Sequence, residues 1–91
     1  IAMNRPDEAL PLFKKSLEVD PDNANAYVQL GRTYLVTKNF KESRAALEES
    51  IQINPFNPLI YRLLTDAYAA LGETEKARLA KATLDRLVAA N

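Results

Sequence analysis

Apolar positions along this 91-residue chain recur every three to four residues. Tyr27, Leu30, Gly31 and Tyr34 fall at i, i+3, i+4 and i+7, which sets them on one face of a helix. Ala46, Leu47, Ser50, Ile51 and Ile53 make a second such stripe. Between the two, Lys38-Asn39 reads as a short turn, with Asn39 and Glu42 at the spacing of a capping box. Asn54-Pro55-Phe56-Asn57-Pro58 ends the second helix, because proline disfavours a helical residue before it and cannot donate to the ladder. Asp20-Pro21-Asp22-Asn23 and Leu71-Gly72-Glu73 repeat this punctuation. Pro11, about a turn after Pro6, predicts a kink or a late start in the first helix. With two glycines and few β-branched runs, no segment reads as a strand, so the fold class is all-α.

The helical pattern itself repeats. The offset that carries Pro21 to Pro55 also joins Tyr27 to Tyr61, Leu30 to Leu64, Tyr34 to Tyr68, Ser16 to Ser50 and Asn23 to Asn57. Leu17 and Ile51, Val19 and Ile53, and Asp20 and Asn54 match in kind. Turn, aromatic and aliphatic positions therefore recur together, which is the signature of a repeat architecture.

Tyr27-x-x-Leu30-Gly31-x-x-Tyr34, followed by Ser43, Leu47, Ser50 and Pro55, resembles a tetratricopeptide repeat, and the offset from Pro21 to Pro55 is the period of that repeat. A second copy runs from Tyr61-x-x-Leu64 through Tyr68, Gly72 and Ala77, and departs from the pattern at Thr65, Lys81 and Leu84. The resemblance implies antiparallel helix pairs stacked as a short right-handed α-solenoid of about five helices, a single array over residues 1–91. Residues 1–23 would be the second helix of a truncated repeat, 24–57 a full repeat, and 58–91 a last repeat with a capping helix. Arg78, Lys81 and Asp85 stand where a further repeat would stack, as expected of a solvated end. The opening Ile1-Ala2-Met3 suggests a piece of a longer protein, and leaves localisation open.

Composition narrows the chemistry. Twelve Lys+Arg balance twelve Asp+Glu, so no net field favours nucleic acid or an anionic membrane surface. No stretch has the length of a membrane-inserting segment. Cys and His are both absent, which removes thiol nucleophiles, imidazole bases and the common transition-metal ligands. No cofactor, metal or catalytic residue is expected. Asp7-Glu8 suits a helix start and Glu48-Glu49 a polar face, and neither pair has a nucleophile or base beside it. The four tyrosines recur with the repeat and read as packing residues, while Phe40 and Phe56 are expected to plug gaps near turns.

Function is then a matter of surfaces. In the family the first helix of each pair lines a concave groove, and the resemblance puts Asn25, Val28, Arg32, Leu35 and Val36 there, with Leu59, Arg62, Asp66, Ala69 and Ala70 from the next repeat. Such a groove would hold a peptide segment of a protein partner or of the parent chain, without catalysis. Arg32 and Arg62 could grip carboxylates, or Arg62 could simply pair with Asp66 one turn on. The Lys/Asn clamp with which some relatives hold a chaperone tail has no counterpart here: Val28 and Arg32 occupy the matching positions. Two alternatives stand beside the groove. Leu10, Phe13 and Leu17 could be an uncovered self-association face that forms a homo-oligomer. The array could also be an accessory to a larger bacterial enzyme, such as a peptidase or transferase.

Overall fold

A computed structural model describes residues 6–90 as five helices: α1 (Pro6–Val19), α2 (Ala24–Val36), α3 (Phe40–Ile53), α4 (Pro58–Ala70) and α5 (Thr74–Ala89). Asn23 and Asn57 cap α2 and α4, their side-chain oxygens accepting from the Ala26 and Leu59 amides at 3.0 Å each. Pro58 opens α4, where its fixed φ costs nothing. α1 continues through Pro11 rather than starting after it. Pro6 already stands at its first position, so Pro11 removes only one ladder bond near the helix start.

The capping box expected at Asn39 does not form. Its amide donates to the Tyr34 carbonyl at 2.8 Å, which closes the end of α2, and its side chain donates to the Thr37 hydroxyl at 2.8 Å. Lys38 adopts φ +63° to make that reversal, and Gly72 adopts φ +76° at the equivalent place one repeat later. The Glu73 amide donates to the Tyr68 carbonyl at 2.8 Å just as Asn39 does to Tyr34. One turn geometry thus serves both repeats with different residues.

Each helix packs on the next, and α2 also approaches α4, whereas the backbones of α1, α3 and α5 do not come close to one another. Gly31 is where α2 and α3 come closest. A Cβ there would lie 2.5 Å from Leu47 Cγ, and closer still to one of its methyls, so only glycine leaves room for this fully buried leucine. Ser43 and Ser50, also buried, donate across to the Gly31 and Ala24 carbonyls at 2.8 and 3.3 Å. Small residues at these sites let the helices close, and the hydroxyls satisfy themselves on the neighbouring backbone. The core that joins the repeats comprises Val28, Leu47, Ile60, Leu64, Tyr68 and Ala80.

A polar latch crosses the same boundary. Arg44 on α3 donates to Glu73 at 2.8 Å, and Lys76 approaches Glu73 at 3.7 Å. The Tyr68 hydroxyl donates to Glu48 at 2.6 Å, and the Lys76 ammonium lies 5.9 Å from the Tyr68 ring centre. Burial, then the hydrogen bond to Glu48, pushes the Tyr68 phenol well above its ordinary 10.0. The bond from Arg44 holds the Glu73 carboxyl below its ordinary 4.5. Because the phenol is raised on folding, its contribution is complete below pH 10.0 and is lost as pH rises toward the folded value. Glu73 works the other way, contributing above 4.5 and fading as pH falls through its lower folded value. Thermal melts across the alkaline range should show a falling midpoint that Tyr68→Phe flattens, at the expense of about 1 kcal/mol near neutrality. An unchanged alkaline slope in that variant would remove Tyr68 as the cause.

Candidate peptide-binding groove

Helices α2 and α4 touch while α1, α3 and α5 stand apart, so the two layers differ in spacing. The free faces of α2 and α4, the helices of the tighter layer, form the candidate concave surface. On α2 the outward residues are Asn25, Arg32 and Val36, with Gln29 half-buried beside them. These fall at i, i+4, i+7 and i+11, a single stripe. One repeat later the same stripe carries Leu59, Leu63, Asp66 and Ala70. Gln29 and Leu63 belong to it by register, and the repeat period was the signal that could have found them.

The sequence-expected groove residues therefore divide. Asn25, Arg32, Val36, Leu59 and Asp66 share the inner stripe. Val28 does not offer itself to a ligand: it is 3% exposed and belongs to the core with Ile60 and Leu64. Leu35 is half-buried on the same flank of α2. The reason lies in their equivalents, since Arg62 and Ala69 occupy those two positions on α4 and both are exposed. On α2 that flank is covered by α4, and on α4 no described helix covers it. Among the described residues Arg62 is thus left exposed, in the register of a buried valine.

Charges on this surface are uncompensated. Among the described residues, Arg32, Arg62 and Asp66 enter no ion pair, so the expected Arg62–Asp66 pair is not formed. On α5, by contrast, Arg78 pairs with Glu75, and Lys81 with Asp85 at 3.4 Å. No buried polar side-chain atom among the described residues lacks a partner, so the interior asks for no ligand. The described residues hold no cluster of metal-binding side chains, and no described helix is long and apolar enough to cross a membrane.

Away from the inner stripe, α1 departs from expectation. Leu10, Phe13 and Leu17 are half-buried, and the described neighbour that α1 packs against is α2. They are therefore turned into the array rather than left uncovered. The large apolar side chains of α1 in solvent are Leu12 and Val19, 65% and 81% exposed, beside a shallow hollow of 450 Å³ that Ser16 also lines. In the register of α3 these are Ala46, Ile53 and Ser50: Ala46 and Ser50 are buried, with Ser50 donating to the Ala24 carbonyl of α2, while Ile53 is also exposed. On α1 the Ser16 hydroxyl instead turns back to the Leu12 carbonyl at 3.1 Å. Phe56 plugs no gap: it is 75% exposed, held outward by a turn in which its amide donates to Asn54 at 3.2 Å. Phe40 is half-buried. Glu48 belongs to the latch, Glu49 is exposed, and the Asp7 side chain lies outside the described residues.

A family model described as tetratricopeptide repeat matches residues 1–65. The solved structure of MamA AMB-1 is 23% identical and superposes with a TM-score of 0.88 over 97% of this chain and 52% of its own. That of MamA MSR-1 gives 0.86 at 23% identity, covering 94% of this chain and 51% of its own. At that identity the likeness is one of fold, and this chain spans about half the length of each. No curated protein matches the sequence significantly.

Proposed function

Because the chain belongs to the tetratricopeptide repeat family, we propose that it is a non-catalytic protein-interaction module whose inner face, on α2 and α4, holds a peptide segment of a partner or of its parent chain. The observation that carries this reading is Arg32. It is exposed and free of ion pairs, on one stripe with Val36 and Asn25, and the matching stripe of the next repeat carries Leu59 and Leu63. A solvated guanidinium next to aliphatic side chains can anchor a carboxylate in bidentate geometry while a neighbouring side chain of the ligand is desolvated. The last turn of α5, with Arg86 hydrogen-bonded to Thr83 at 3.3 Å, offers no comparable free group.

Capture from source lysate on immobilised protein tests the reading. Arg32→Glu should retain at least about fivefold less of a captured partner, with helicity unchanged, since attraction is replaced by repulsion at an exposed site. Arg62→Glu, on the open flank, should retain it as the wild type does. Equal retention by wild type and Arg32→Glu would defeat the groove reading. It would favour self-association through the solvent-facing Leu12 and Val19 of α1.

A further inference from the structure

The two charges on the inner stripe stand in equivalent register. Arg32 on α2 and Asp66 on α4 are one full repeat apart, both are exposed, and no ion pair joins them to each other or to any described residue. The remaining stripe residues are uncharged: Asn25, Gln29 and Val36 on one helix, Leu59, Leu63 and Ala70 on the other. The surface therefore has one positive and one negative post at the same height on adjacent helices, with amide and aliphatic groups around them. Packed helices lie about 8–10 Å apart, so the two positions are separated on that scale. An extended chain advances about 3.3 Å per residue, so it crosses that distance in about three residues.

We propose that the groove selects a charge-ordered segment: an extended peptide that crosses α2 and α4 with an acidic side chain at Arg32 and a basic one at Asp66, about three residues apart. The proposal rests on the groove reading and adds to it the order of charges, and hence the direction in which the peptide lies. A uniformly acidic ligand would meet Asp66 with like charge, and a uniformly basic one would meet Arg32. Both are disfavoured by the same arrangement, so selectivity comes from repulsion as well as attraction.

The probe is a displayed library of random dodecapeptides, selected in parallel on the wild type, Asp66→Lys and Arg32→Glu, each checked for unchanged helicity. Wild type should enrich peptides with one acid and one base at about three-residue spacing in a fixed order. Asp66→Lys should enrich peptides with two acids, and Arg32→Glu peptides with two bases. A synthetic wild-type binder should lose roughly five- to tenfold in affinity for either variant. Binders of random charge pattern on the wild type, or one common set on all three proteins, would overturn the charge order while leaving a binding groove in place. No enriched peptide on the wild type would overturn the groove reading and this inference with it.

Discussion

Gly31→Leu is expected to leave the protein largely unfolded at room temperature, visible as lost helicity and lost cooperativity in a thermal melt. Even the first carbon of a side chain at this position would overlap Leu47, with 2.5 Å to its Cγ. Leu47 cannot yield, because it is fully buried between α2 and the core that extends to Ile60 and Leu64. Overpacking a core costs about 1–3 kcal/mol when the surroundings can shift, and more when they cannot. Each repeat is held by its neighbours, so forcing α2 from α3 weakens more than that one pair. The second repeat supplies a natural comparison. Thr65 stands in the register of Gly31, and the facing residue is Lys81, which leaves the interface and reaches Asp85 at 3.4 Å. Gly31→Ala combined with Leu47→Ala should therefore cost less than the sum of the two single changes. Strict additivity, or a Gly31→Leu protein that melts like the wild type, would show that the contact does not set the helix spacing.

Val28→Arg is expected to separate the two repeats, whereas the reciprocal change Arg62→Val should be nearly silent. The two positions are one repeat apart, yet one is buried against α4 and the other faces solvent. A guanidinium at position 28 would enter an apolar core that holds no acid to receive it, at a cost of more than about 3 kcal/mol. Removing the exposed Arg62 breaks no ion pair and should move stability by less than about 0.5 kcal/mol. Chemical denaturation of both variants reads the contrast directly. Similar losses from the two substitutions would mean that the flanks of α2 and α4 are not distinguished by burial.

Most of the fold was legible before any coordinates, because helix periodicity, proline punctuation and the recurrence from Pro21 to Pro55 are local or strictly repetitive signals. Gly31, Ser43 and Ser50 could be placed in the repeat pattern for the same reason. What escaped was whatever depends on which helix flanks are covered. Val28 and Arg62 share a register, and only the presence or absence of a covering helix makes one core and the other surface. Leu10, Phe13 and Leu17 were correctly apolar, but sequence alone does not say whether that face of α1 turns forward onto α2 or outward. The latch of Arg44, Glu73, Tyr68 and Glu48 has no echo one repeat earlier, where Leu10, Asn39, Tyr34 and Lys14 stand instead. No periodic argument could have found it. The expected cap at Asn39 failed because the turn had a prior use for that amide, a competition visible only once Lys38 is seen at positive φ.

The unequal spacing of the two layers has a mechanical consequence. The outer helices α1, α3 and α5 share no close backbone approach, and α3 reaches the cap of α5 through the Arg44–Glu73 pair, so bending the array strains few outer contacts directly. Resistance to bending is concentrated where α2 meets α4 and in the seating of α3 between them, like a book whose pages are joined only near the spine. Opening or closing the arc changes the gap between Arg32 and Asp66 before it disturbs either helix pair. The soft coordinate of this molecule is thus the width of the surface that would grip a ligand, and a bound segment spanning both helices would act as a brace that stiffens the whole array.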